Sequence, residues 1–131
     1  MEVFFLPARA GARLCVHHRP EERSATGLAV VFVPAFAEEM NKSRHVVAQT
    51  ARRLCDMGIG VLLIDLYGCG DSSGDFAEAT WETWQEDVAL ATGWLQEFGY
   101  RRLMLWGMRL GGLLAAECAV AAPALYERCV L

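Results

Sequence analysis

Trp106-Gly107-Met108-Arg109-Leu110-Gly111-Gly112 joins the short apolar stretch Leu103–Trp106 to a run of small and apolar residues that ends at Pro123. An apolar strand entering a helix through closely spaced glycines makes a sharp turn where backbones approach each other, and glycine leaves the room for it. The pattern is G-x-R-x-G, the outline of a nucleophile elbow (G-x-S-x-G) with arginine in place of serine. Gly107, Gly111 and Gly112 meet the steric need. Arg109 does not meet the chemical one, because a guanidinium stays protonated and cannot attack a carbonyl.

Upstream of that turn the chain alternates. Val3–Leu6 and Arg13–His17 flank Ala10-Gly11-Ala12 and predict an antiparallel hairpin. Leu28–Val33 and Gly60–Asp65 are continuous apolar runs, the pattern of strands buried on both faces of a parallel sheet. Between them a helix is expected to start near Asn41 or Ser43, with Val46, Val47, Thr50 and Leu54 on its inner face and Gly58 at its stop. The glycine-rich loop Tyr67–Gly74 leads to a second helix capped by Thr80. Its stripe is Trp84, Val88, Ala91, Leu95 and Phe98, and Gly99 closes it. After Leu103–Trp106 and the helix Leu110–Ala122, residues Glu127–Leu131 begin another strand. Hairpin then β-α-β-α-β-α-β predicts one three-layer α/β domain over residues 1–131, with right-handed crossovers and helices on both sheet faces. The chain stops inside an apolar strand, so an N-terminal fragment of about half a fold is expected, without turnover of its own.

Composition narrows the function classes. At 131 residues the chain has room for one core, and 54% hydrophobic residues mark it as globular. A net charge of −4 argues against nucleic acid or an anionic membrane surface as partner. The cysteines Cys15, Cys55, Cys69, Cys118 and Cys129 are odd in number and lack C-x-x-C spacing, so buried thiols are expected, with neither a disulfide framework nor a metal site. No apolar run reaches transmembrane length and no signal peptide precedes Pro7, which reads as a cytoplasmic protein.

Three features in register resemble the α/β-hydrolase fold: the hairpin before alternating elements, the loop Asp65-Leu66-Tyr67-Gly68-Cys69-Gly70-Asp71-Ser72 in the form D-x-x-G-x-G-x-S, and the turn at Gly107–Gly111. A closer resemblance rests on Pro34–Arg44 (PAFAEEMNKSR) with Trp106–Gly111 (WGMRLG), which together are similar to the second hydrolase family associated with exosortase A systems. Those systems accompany bacterial exopolysaccharide gene clusters, and arginine at the elbow is typical of that group. The resemblance implies a mostly parallel hydrolase sheet and an acyl or anionic small-molecule substrate, with no cofactor. By position it makes the Leu110 N–H one oxyanion-hole donor, with the second at Ala35 or Phe36, although that loop begins Pro34-Ala35 where many hydrolases have His-Gly. It gives Asp65, Gly68, Gly70 and Ser72 the task of shaping the loop, and Asp65 is expected to hydrogen-bond backbone in the Gly68-Cys69-Gly70 turn. It places the acid and histidine of a triad beyond Leu131, and none of His17, His18 or His45 falls at a triad position.

Three readings of Arg109 stay open. It can bind an anion at a helix N-terminus, pair structurally with Glu38 or Glu39, or serve an active site whose nucleophile is another residue. Cys69 and Ser72 are the nearest alternative nucleophiles, though turn-shaping roles suit both. The Glu38, Glu39, Lys42 and Arg44 cluster reads as a solvated loop and helix start, with substrate contact the alternative because it lies at the mouth of the site, and Trp81, Trp84, Trp94 and Trp106 read as core. Two functions follow: a hydrolase of ester or thioester type, or a non-catalytic relative that binds an anionic ligand or partner through Arg109.

Overall fold

The structure, a computed structural model, describes residues 1–36 and 38–131; Ala37, within the stretch that carries the family resemblance, and the side chain of Glu38 lie outside the described residues. Strands β1 (Glu2–Pro7) and β2 (Ala12–His18) form the antiparallel hairpin, with Glu2 opposite His17 and Pro7 opposite Ala12. Then come β3 (Leu28–Val33), α1 (Glu38–Asp56), β4 (Gly60–Ile64), α2 (Trp81–Phe98), β5 (Arg102–Gly107), α3 (Leu110–Ala121) and β6 (Arg128–Val130). The sheet order is β1-β2-β4-β3-β5-β6. Strands β3 to β6 run parallel, and β2 joins β4 antiparallel.

Alternation along the strands divides the sheet into two faces. Cys15, Leu62, Ile64, Ala29, Val31, Val33, Leu103 and Leu105 meet Trp84, Val88, Ala91 and Leu95 of α2 and Leu114 and Ala115 of α3. Val16, His18, Phe32 and Leu63 face Val47 and Ala48 of α1 on the other side. This is a three-layer α/β fold. No helix among the described residues is long and apolar enough to cross a membrane.

The elements differ from expectation in a few places. Helix α1 starts at Glu38 rather than at Asn41 or Ser43, which puts the acidic Glu39 in its first turn, where the helix dipole favours it. Its inner face is Met40, Val47 and Ala51, whereas Val46, expected inside, is 55% exposed. Phe98 is exposed at the border of the core and stacks on Trp94 and Tyr100. A short 3-10 turn, Phe76–Glu78, interrupts the β4–α2 loop, held by Asp75 accepting the Ala77 N–H at 3.1 Å. Thr80 caps α2 by accepting the Thr83 N–H at 3.1 Å, and all five cysteines are free thiols.

Candidate active site

The carboxyl ends of β3, β4 and β5 bring three segments to one sheet edge, where open α/β sheets place ligands. The segments are the β3–α1 loop, the β4–α2 loop and the β5–α3 turn. The turn is sharp because of its glycines. A Cβ on Gly107 would overlap the backbone of Gly111 and Gly112, and one on Gly111 would overlap the carbonyl oxygens of Pro34 and Val33. The Met108 N–H donates to the Val33 carbonyl at 3.3 Å. These contacts seat the turn on the β3–α1 loop.

Arg109 lies at the apex with φ 58° and ψ −127°, the one non-glycine residue of positive φ among the described residues. It is the N-cap of α3 without a side-chain capping bond; its carbonyl accepts the Gly112 N–H at 2.9 Å. The guanidinium projects outward, and its Nε stands 3.3 Å from Glu39 Oε2, both side chains more than half exposed. Leu110 opens α3. Neither its N–H nor that of Phe36 donates a hydrogen bond among the described residues. Unpaired N–H groups at a helix start attract anionic oxygen. Ala35 and Phe36 are buried, and the Phe36 ring stacks on Trp84 with centroids 4.3 Å apart.

The β4–α2 loop is fastened to the start of β2. The Ser72 hydroxyl donates to the Asp65 carbonyl oxygen and accepts the Leu14 N–H at 2.8 Å. Asp65 Oδ2 accepts the Asp71 N–H at 3.1 Å, not an N–H of the Gly68-Cys69-Gly70 turn, and lies 3.9 Å from Arg44. Burial raises the Asp65 carboxyl, with the Asp71 N–H and Arg44 pulling it back. The Cys69 thiol is buried, and burial together with Asp65 and Asp87 pushes it up to about 11, so it stays protonated near neutrality. Between this loop and α1 opens a cleft of about 510 Å³ lined by Met40, Asn41, Gly68, Cys69, Gly70 and Phe76.

One pair absent from the sequence reading holds the loop. Arg13 Nε donates to Asp87 Oδ1 at 2.8 Å, and Asp87 Oδ2 accepts the Tyr67 N–H at 2.7 Å. Both charged residues are buried to 2% exposure. Trp84 Nε1 donates to the Tyr67 carbonyl at 2.9 Å, so Tyr67 is clamped from both sides of its backbone. The signal was present in α2, where Asp87 shares the stripe of Trp84, Val88 and Ala91. The histidines stand away from this edge in roles of their own: His17 and His18 are buried near the amino end of the parallel strands and His45 is exposed on α1.

The family model of the serine aminopeptidases, S33, matches residues 25–131. The mitochondrial palmitoyl-protein thioesterase ABHD10 of mouse is 29% identical over 94 residues, 72% of this chain and 30% of that protein, and the rat protein is 28% identical over the same shares. Among solved structures, mouse ABHD10 superimposes with TM-score 0.74 and 22% identity, over 98% of this chain and 48% of that one. A lidless α/β serine hydrolase from Xanthomonas campestris gives TM-score 0.79 and 22% identity, over 93% of this chain and 56% of that one. This chain thus spans 30% of the curated relatives and about half of the solved structures it matches. The sheet, the helices and the matched residues together make this chain a member of the serine aminopeptidase, S33, family of α/β-hydrolase-fold proteins.

Proposed function

We propose that the chain carries the strand-end site of an ester- or thioester-type hydrolase linked to the exosortase and exopolysaccharide system, working in the cytoplasm on a small acyl substrate. The β5–α3 turn acts as its nucleophile elbow, and the observation that carries the reading is the backbone there. Arg109 is held at φ 58°, and the Leu110 N–H that opens α3 behind it donates no hydrogen bond among the described residues. In this reading the Leu110 N–H and an N–H of Ala35 or Phe36 receive the oxyanion, and Arg109 holds a carboxylate or phosphate of the substrate. The acyl-thioester chemistry named for ABHD10 supports that substrate class. The stretch Pro34–Arg44 with its arginine elbow supports the exosortase link. With the Ser72 hydroxyl committed to the loop and Cys69 held protonated, water is the attacking group. It adds to the acyl carbon, and the collapsing intermediate expels the alcohol or thiol, which leaves with a proton. The reaction calls for no metal or cofactor.

That same commitment of Ser72 and Cys69 favours a second reading, a non-catalytic relative that binds an anionic ligand through Arg109. One experiment separates them. A short-chain alkyl phosphonate, which mimics the oxyanion, is titrated into the protein, and release of thiol from an acyl thioester is followed in parallel. Both readings expect binding that weakens about tenfold in Arg109→Ala, the worth of one charge-assisted contact. Turnover above the buffer rate selects the hydrolase and overturns the expectation that residues 1–131 are without turnover of their own, whereas binding without turnover leaves both readings standing. Absence of both would sink the two together.

A further inference from the structure

A second cavity, of about 260 Å³, lies on the opposite side of the sheet from α2 and α3, between α1 and strands β2, β3 and β4. Its walls are apolar, with Val16, Phe32 and Leu63 from the sheet and Met40 and Val47 from α1. Yet His18, Arg44 and Arg52 also line it, against the single acid Asp65. Arg44 leans toward Asp65 at 3.9 Å, whereas Arg52 joins no ion pair among the described residues.

His18 is the informative member. It is 5% exposed, and its ring makes no hydrogen bond among the described residues. Unlike His17 Nδ1, the His18 ring nitrogens are not sealed from solvent, so a polar group in the cavity can reach them. Burial lowers its pKa, and the amino terminus and Arg52 lower it further, which sets the Arg52 charge near the ring. One end of the cavity is therefore basic, polar and unpaired, while the body is apolar.

We propose that this cavity binds a straight-chain carboxylate of medium length, its carboxylate meeting His18 and Arg52 and its chain lying along Val16, Phe32, Leu63 and Val47. At about 30 Å³ for each water-sized group, 260 Å³ holds roughly eight or nine such groups, on the order of the ten non-hydrogen atoms of octanoate. The excess of basic groups selects an anionic head, and a guanidinium can grip a carboxylate with two parallel bonds. The site shares Met40 with the cleft at Cys69, lies against the sheet beneath α1, and does not depend on any hydrolytic activity.

Calorimetric titration of octanoate, octanol and acetate tests it. Octanoate should bind one to one, octanol at least about tenfold more weakly for want of the charged contact, and acetate without detectable heat. Arg52→Gln, a change at an exposed side chain, should bring octanoate down to the octanol level. Ala48→Phe, which fills the cavity from α1, should abolish octanoate binding while leaving the phosphonate titration at Arg109 as it was. Equal binding of octanoate and octanol would overturn the proposal. So would undiminished octanoate binding in Arg52→Gln, or in an Ala48→Phe protein with an unchanged circular dichroism spectrum.

Discussion

Arg109 carries a cost that its contacts do not offset. A side chain forced to φ 58° loses about 1–2 kcal/mol relative to an ordinary conformation. Its ion pair with Glu39 is between exposed groups, which are worth at most about 1 kcal/mol. Arg109→Gly should therefore raise stability by about 1 kcal/mol, because glycine adopts the same turn without strain. Urea unfolding reads this directly, and a destabilised Arg109→Gly protein would show that the guanidinium holds the turn together. The buried pair behaves in the opposite way. Asp87→Ala leaves the Arg13 guanidinium unpaired at 2% exposure and should cost about 3–5 kcal/mol. The double change Arg13→Met with Asp87→Leu removes both charges and should cost clearly less than Asp87→Ala alone in the same urea measurement. Half of this pair was legible in the sequence, since Asp87 shares the stripe of Trp84, Val88, Ala91 and Leu95. Its partner lies 74 residues away across the fold, and helical spacing carries no information about that distance.

Among the elements, the β5–α3 turn and α2 show how differently two glycines constrain the chain. Gly111 packs its α-carbon on the carbonyls of Val33 and Pro34, with backbone on the opposing side that no rotamer change can move away. Gly111→Ala should cost about 3 kcal/mol, the upper range of overpacking, and should disturb the turn. Gly93, within α2, meets nothing within 4 Å. Gly93→Ala should stabilise the helix by about 0.5–1 kcal/mol. Thermal melts of the two variants should move in opposite directions, and a melt lowered by Gly93→Ala would overturn the helix-propensity argument. The same contrast explains which boundaries could be read in advance. β3 was legible as Leu28–Val33 because every residue is apolar, a polar segment precedes it and Pro34 follows it. The start of α1 was not, because Glu39 looks like loop until the helix dipole gives it a reason to be helical. Val46 misled for a related cause: periodicity finds the width of an apolar face but not which edge of it the sheet covers.

Across the whole molecule, the hairpin is attached through an aromatic cluster that no local pattern announces. The order of strands and helices was legible because each buried run has the length and composition of its element. The cluster was not, since Phe4, His17, Trp94, Phe98 and Tyr100 come from four separate places in the chain. Phe4 stacks on Trp94 at 4.8 Å, and the His17 ring meets Trp94, Phe98 and Tyr100 edge-on. His17 Nε2 lies 2.8 Å from the Tyr100 hydroxyl, while Nδ1 makes no hydrogen bond among the described residues and stands 3.9 Å from Glu2 Oε1. Burial lowers the His17 pKa to about 4, with Glu2 pulling it up and Arg19 and His18 pressing it down. The unfolded chain therefore binds the proton more readily than the folded one between about pH 6.5 and pH 4. The stability contributed by neutral His17 is complete above about pH 6.5 and falls as the solution is acidified, by roughly 3 kcal/mol at pH 4. His18, also lowered by burial, adds in the same sense, whereas Asp65 and Asp87, raised by burial, gain on acidification and offset part of the loss. Urea midpoints compared at pH 7 and pH 5 should show a clear drop for the native sequence. His17→Phe keeps the aromatic packing and removes the titrating group, so more than half of that drop should vanish, at the expense of the bond to Tyr100 at every pH. An equal drop in the variant would mean that the hairpin seam does not carry the acid sensitivity, and His18 on the α1 face would become its source.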